Sequence, residues 1–372
     1  MEYPSNVSLE NNGSISSSGA AKSNPLGSAY DSITICLFTT IFVAGVVGNS
    51  FVISTILRWD DMKTPCNYLI MTIAIADIGV AVFAAPLRII ERFIGWPFGE
   101  AVCRLLVPLQ DVFVCVSVVA HTCIALERYG AIVTPFKRRL SPRKMKFVIA
   151  GLWIGCYLTS GLPVAPLLST VTRKSNVLCK VIFPSMVFRR VFKLYLVIVF
   201  IAAPLLIQTW AYCWIARCIS KKTLISESRS GPQQRRNRLV KMLFTSLLVF
   251  DIFYLPRGIL MLFYEFGDRS TFSPLIQYIN LISLIIYYLK HIINPMILFA
   301  MSADFRAGFY AACTRGQFEI VHDTSIKRKP SKNLKMVRLN SRKKSQDQQN
   351  QPQTVQALLE NIPKCENNVD NV

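Results

Sequence analysis

Acidic residues are scarce in this chain. Asp and Glu number 21 against 42 Lys and Arg in 372 residues, giving a formal net charge of +21. Charge of either sign is thin: 17% of residues, where a soluble domain carries about 25%. Histidine is nearly missing, with three residues. No Cys/His spacing suggests a metal, and no cofactor is expected. His121 and His291 stand apart in sequence, so nothing points to a membrane enzyme with convergent catalytic groups. Internal repeats are also missing, which argues against a transporter built from inverted halves. The first thirty residues are polar and Ser/Asn-rich, with no apolar core that could serve as a cleaved secretory signal. The first apolar stretch is therefore expected to act as an uncleaved anchor.

Apolar residues dominate instead, at 52% of the chain and a mean hydropathy of +0.38. They fall in seven blocks, each near the roughly 20 residues that cross a bilayer as a helix. The blocks run from Ile33 to Leu57, Tyr68 to Ile90, Val102 to Ile132, Phe147 to Leu168, Phe192 to Ile215, Leu239 to Phe263 and Leu275 to Ala300. The expected fold is all-α, a bundle of seven membrane helices followed by a short amphipathic eighth. The expected segments are an N-terminal piece (1–30), the bundle (31–300), a membrane-surface helix (301–314) and a polar, disordered tail (315–372).

The positive charge sorts by position. Lys137, Arg138, Arg139, Arg143, Lys144 and Lys146 follow the third block, and Lys221, Lys222, Arg229, Arg235, Arg236, Arg238 and Lys241 follow the fifth. Lys327, Arg328, Lys329, Arg342, Lys343 and Lys344 lie in the tail. With seven crossings these segments share one side, which the positive-inside rule makes cytoplasmic. That distribution argues for an extracellular N-terminus, and against a nucleic-acid partner. Arg173, Lys174, Arg189 and Arg190 fall outside, within the tolerance of a statistical bias. Asn6 and Asn12 begin glycosylation triplets on the expected outer side. Cys36, Cys115, Cys123, Cys156 and Cys213 sit inside blocks as small packing residues. Cys103 and Cys179 fall on the outer side, where an oxidising compartment favours their pairing.

The third block ends in Glu127-Arg128-Tyr129, a charged pair at a membrane edge, where ionisable groups are usually functional. Landmarks recur in order along the other blocks. They are Gly48-Asn49 and Val52, Ala76-Asp77 and Pro86, Trp153 and Pro163, Pro204 and Tyr212, Phe250 and Pro256, and Asn294-Pro295. As an ordered set from Ile33 to Cys313, these residues resemble the rhodopsin-like G-protein-coupled receptors. The stretches from Lys63 to Leu69 and from Trp96 to Gly99 look like the peptide-receptor branch.

The resemblance implies an activation route. Glu127 would hold Arg128 at rest, and release of Arg128 would open the cytoplasmic face to a heterotrimeric G protein, with Tyr212 meeting it in the active state. Tyr129 completes the motif. Pro135 and Phe136 look like the plug into the G protein, although Phe136 would also suit a membrane anchor. Phe250, Pro256, Asn294 and Pro295 would belong to the moving helices. Asp77, Ser117 and Asn294 match a sodium site. Ser117 and Arg128 lie about three turns apart on one face, roughly 16 Å.

Three positions depart from the family pattern. Lys290 stands where an Asn is usual, and its ammonium is expected to face Asp77 or, alternatively, Asp251. Tyr254 replaces the usual Trp of the sixth helix. Leu298 replaces the usual Tyr of the seventh and cannot form a polar contact to Tyr212.

For the ligand, Gln110 lies two turns below Cys103, where amine receptors carry Asp; Asp111 is rotated from it by about 100°. Phe250, Tyr254 and Arg257 share one face of the sixth helix, and Tyr288 faces the same pocket from the seventh. Arg257 suits an acidic ligand group or pairs with Glu265. A neuropeptide is the expected ligand. A lipid or small carboxylic acid is the alternative, and an opsin is disfavoured because Lys290 lies too deep. Phe305, Phe309 and Cys313 share one face of the short last helix, which would lie on membrane lipids with Cys313 palmitoylated or simply packed. Ser331, Ser341 and Ser345 would be kinase sites that recruit arrestin, and the final Val369-Asp370-Asn371-Val372 would fit a PDZ domain.

Overall fold

Seven helices long and apolar enough to cross a membrane form one bundle. The structure, a computed structural model, describes residues 25–135, 140–173, 176–225, 231–267 and 274–313. The helices are α1 (Pro25–Arg58), α2 (Pro65–Phe93), α3 (Gly99–Ile132), α4 (Pro142–Leu167), α5 (Met186–Ile225), α6 (Gly231–Phe266) and α7 (Pro274–Met301). A short helix α8 (Ala303–Cys313) follows. The apolar runs dictate this outcome, because backbone polar groups in hydrocarbon must be satisfied within the segment.

Local signals set the helix starts. Thr64 and Ser141 accept hydrogen bonds from the amides of Asn67 and Lys144, each at 3.3 Å, and Pro65 and Pro142 occupy the first turns. Such caps satisfy donors that have no intrahelical acceptor, and proline there loses nothing. Ser185 caps α5 in the same way through Phe188.

Three helices widen into π-turns: Val80–Ala84 in α2, Tyr157–Gly161 in α4 and Ile198–Ala202 in α5. A proline follows each turn by two residues: Pro86, Pro163 and Pro204. Proline has no N–H, and its ring crowds the carbonyl one turn back. The wider turn accommodates that crowding.

The outer surface is closed by a hairpin. Strands β1 (Leu168–Arg173) and β2 (Asn176–Val181) pair antiparallel, with Thr170 opposite Cys179. A disulfide joins Cys179 to Cys103 near the start of α3. Two further ties hold the hairpin down. Arg104 Nε donates to the Leu168 carbonyl at 3.0 Å, and the Trp96 amide donates to the Val177 carbonyl at 2.7 Å. Gly95 makes the second tie possible. Its φ is +85°, and a Cβ there would stand 2.6 Å from the Val177 oxygen.

The main core cluster draws on all seven helices, including Met145, Leu152 and Cys156 of α4 and Phe200 of α5. Large apolar side chains on the outer faces, such as Phe147 and Leu206, remain exposed where lipid would meet them. Helix α8 packs Phe305 into the core and sets Phe309 against Phe51 and Phe299, with ring centroids 5.0 and 5.4 Å apart. Arg306 donates to the Ala300 carbonyl at 2.7 Å, capping the end of α7.

Candidate functional site

Charged side chains of α2, α5 and α6 make paired contacts with one another and with polar side chains of α7. Arg257 donates to Asn280 Oδ1 at 2.6 Å. Glu265 receives Arg189 Nε at 2.8 and 3.0 Å. The expected alternative, a pair between Arg257 and Glu265, is therefore replaced by two separate contacts. Sequence spacing within α6 could not reveal Arg189, which approaches from α5. Arg88 of α2 reaches Tyr288 Oη at 3.4 Å and Glu91 at 3.3 Å. Gln110, Tyr254 and Tyr288 are buried, while Asp111 and Arg257 are partly buried. Asp111 lies within electrostatic reach of Tyr254 and Tyr287. Phe250 sits deeper, 1% exposed and stacked on Tyr254 at 5.4 Å.

The middle layer corrects the expectation for Lys290. Asp77 is fully buried, and both its oxygens are engaged from α7. His291 Nδ1 donates to Oδ1 at 2.6 Å, and Asn294 Nδ2 donates to Oδ2 at 3.0 Å. Asn49 of α1 donates to the His291 carbonyl at 3.1 Å, fixing α7 at this level. Lys290 points elsewhere. Its Nζ lies over the rings of Phe250, Tyr254 and Tyr287 at 4.4, 4.5 and 4.9 Å. Neither Asp77 nor Asp251 is its hydrogen-bonding partner. Asp251 borders a separate hollow with Phe200, Pro204 and Gln208. His291, which looked isolated in sequence, is the residue that meets Asp77.

Each Asp77 oxygen thus takes one N–H donor and keeps a further lone pair. A buried ammonium stands in the same region, electrostatically coupled to Asp77. Ser117 is buried, and its hydroxyl has no protein partner among the described residues.

At the inner end Arg128 Nε donates to Glu127 Oε2, with the two side chains 13% and 17% exposed. Cys66 and Tyr212 are its neighbours. Tyr212 packs against Phe244 at 5.2 Å, and Tyr129 against Trp210 at 4.7 Å. Leu298 is buried. With Tyr212, Asn49, His121, Ser246 and Asn294 it borders a cavity of about 20 Å³, room for about one water. Pro256 and Pro295 interrupt the hydrogen-bond ladders of α6 and α7. Pro135 is exposed. Asn6, Asn12, Phe136, Ser331, Ser341, Ser345 and the final four residues lie outside the described residues, as does the side chain of Cys313.

A seven-helix membrane bundle with a disulfide-anchored outer hairpin, a polar core and an Arg at its inner end defines a class, that of membrane receptors. The chain belongs to the 7 transmembrane receptor (rhodopsin family), whose model matches residues 48–298. It is similar to the RYamide receptor of Drosophila melanogaster, 31% identical over 76% of this chain and 63% of that protein. It is also similar to neuropeptide FF receptor 1 of Rattus norvegicus, at 30% identity over 75% of this chain and 69% of the relative. Neuromedin-U receptor 2 of Homo sapiens is 28% identical over 73% of this chain and 69% of its own length. The chain thus spans slightly under two thirds of the fly protein. This family consists of receptors rather than enzymes.

Proposed function

We propose that this chain is a plasma-membrane receptor for a short extracellular peptide, and that it activates heterotrimeric G proteins. The observation that carries the reading is the likeness to receptors named for RYamide, neuropeptide FF and neuromedin U. The geometry supports it. Charged and amide groups from four helices, together with a hairpin, border one outer region. That arrangement suits a ligand with several polar groups along its length. Gln110, Asp111, Tyr254, Arg257, Glu265 and Tyr288 are the proposed contacts. On the inner side, Arg128 leaves Glu127 for Tyr212 as α6 moves, and Tyr129, Pro135 and Phe136 help form the G-protein face. The N-terminus is extracellular and glycosylated at Asn6 and Asn12. Helix α8 rests on membrane lipids with Cys313 palmitoylated, and arrestin engages the phosphorylated tail.

A second reading keeps the receptor and changes the ligand to a lipid or small carboxylic acid, which Arg257 and Arg88 would pair with. A screen in cells carrying a promiscuous G protein separates the two. Secreted peptides are expected to activate the receptor. Activation by lipids or carboxylic acids alone would refute the peptide reading.

A further inference from the structure

The bundle holds a cation seated on arenes rather than on a carboxylate. Lys290 is 1% exposed, and its Nζ has no hydrogen-bond acceptor among the described residues. Buried lysines in membrane helices ordinarily pair with acids. Here Asp77 is already taken by His291 and Asn294. The ammonium instead contacts three ring faces, all within the roughly 6 Å over which a cation is attracted to an aromatic face.

The ownership of those rings matters. Phe250 and Tyr254 belong to α6, while Tyr287 and the lysine belong to α7. The rings continue one another. His121 of α3 stacks on Phe250 at 4.5 Å, and Tyr254 stacks on Tyr287 at 5.7 Å. Pro256 follows Tyr254 by two residues, so the contact lies beside the break in the α6 ladder, where this helix bends most easily.

We propose that Lys290 is a tethered internal cation that clamps α6 to α7 through the faces of Phe250 and Tyr254, holding the ligand-free arrangement. Moving α6 strips two ring faces from a side chain that is only 1% exposed. Asp77, hydrogen-bonded by His291 and Asn294, leaves the lysine available for this task. The clamp is stated for a receptor whose signalling follows from the movement of α6.

The test uses the full-length receptor in lipid nanodiscs without ligand. A fluorescent amino acid at position 241, an exposed residue toward the inner end of α6, reports helix movement. Lys290→Met keeps length and apolar packing but removes the charge. It is expected to raise the moved-state fraction at least threefold. Tyr254→Leu removes one ring and keeps the lysine, and a smaller rise is expected. The double variant is expected to rise no further than Lys290→Met alone. An unmoved reporter in folded Lys290→Met, or additive effects in the double variant, overturns the clamp. If Lys290→Met does not fold, Tyr254→Leu decides by itself, and an unmoved reporter overturns the proposal. Nucleotide exchange on a G protein is read in parallel. Movement without exchange upholds the clamp and refutes the coupling. Raised exchange with unmoved reporters in the variants does the reverse.

Discussion

Replacing His291 by alanine tests whether its hydrogen bond holds the buried acid in place. Asp77 is fully buried and takes its 2.6 Å bond from His291 and a 3.0 Å bond from Asn294. His291→Ala leaves one neutral amide facing a carboxylate shielded from water. Removing a hydrogen bond to a buried charged group costs about 1.5–3 kcal/mol. If Lys290, a neighbouring cation, swings its ammonium across to Asp77, the loss moves toward the lower figure. At about 2 °C per kcal/mol for a domain of this size, melting should fall by about 3–6 °C. The assay is thermal unfolding of the ligand-free receptor in nanodiscs. It is run in sodium chloride and in choline chloride at equal ionic strength. The unsubstituted receptor is expected to melt at the same temperature in both, because N–H donors face both Asp77 oxygens and a buried lysine side chain stands beside the site. Saturation of a free site at ten times its dissociation constant would add about 1.4 kcal/mol, or roughly 3 °C. Two results would refute the reasoning: a sodium-specific rise of that size in the unsubstituted receptor, or a loss under about 2 °C in His291→Ala.

Three further perturbations address the scaffold. The Cys103–Cys179 bridge spans 76 residues, and loop closure of that length contributes up to about 4 kcal/mol; serine at both positions should lower the melting temperature, and unchanged melting would refute the role. Glu265 is 5% and Arg189 23% exposed at the side chain, so a double-mutant cycle with glutamine at each should give a coupling of about 1–2 kcal/mol, whereas additivity would show that the pair does not form in a bilayer. A Cβ on Gly79 would lie 2.6 Å from the Phe113 ring, so Gly79→Ala should cost about 1–3 kcal/mol by overpacking, with Phe113→Leu restoring part of the loss.

Much of the scaffold was legible because bilayer physics leaves little choice. Long apolar runs become helices, and Thr64-Pro65 and Ser141-Pro142 announce where two of them begin. The disulfide followed from two cysteines on one side, whereas the hairpin that carries one of them was not read from the sequence. What sequence could not supply was the rotation of α7 relative to its neighbours. Counting from Asn294, Lys290 sits four residues back and His291 three. At about 100° per residue they lie roughly 40° and 60° to either side of it. Both flank the residue that meets Asp77, and the lysine looks slightly better aimed as well as more strongly charged. Spacing along one helix therefore favours the wrong residue. The same limit hid Arg189, whose partner Glu265 lies 76 residues away in another helix.

The sorting of those two residues has a physical cause in the placement of their neighbours. Helix α7 packs against both α1 and α6, with α2 also in contact. Its α2 side presents a carboxylate, and its α6 side presents aromatic faces. An imidazole is short and directional, and it makes a 2.6 Å hydrogen bond to the acid directly across from it. A lysine has a long apolar stem and a compact charge, so it can cross toward α6 and set its ammonium over several rings at once. Exchanging the two would put the short side chain opposite rings that it could only stack on, and the long one within a space already filled by Asn294. The positive charge that a buried acid demands is thus separated from the acid. That separation lets one residue stabilise the α2–α7 contact while its neighbour controls the α6–α7 contact. Lys290→Met and His291→Ala should accordingly act on different observables. The first should change the position of α6 more than the melting temperature, and the second the melting temperature more than the position of α6. Equal effects of both variants on both measurements would mean that the two contacts are one.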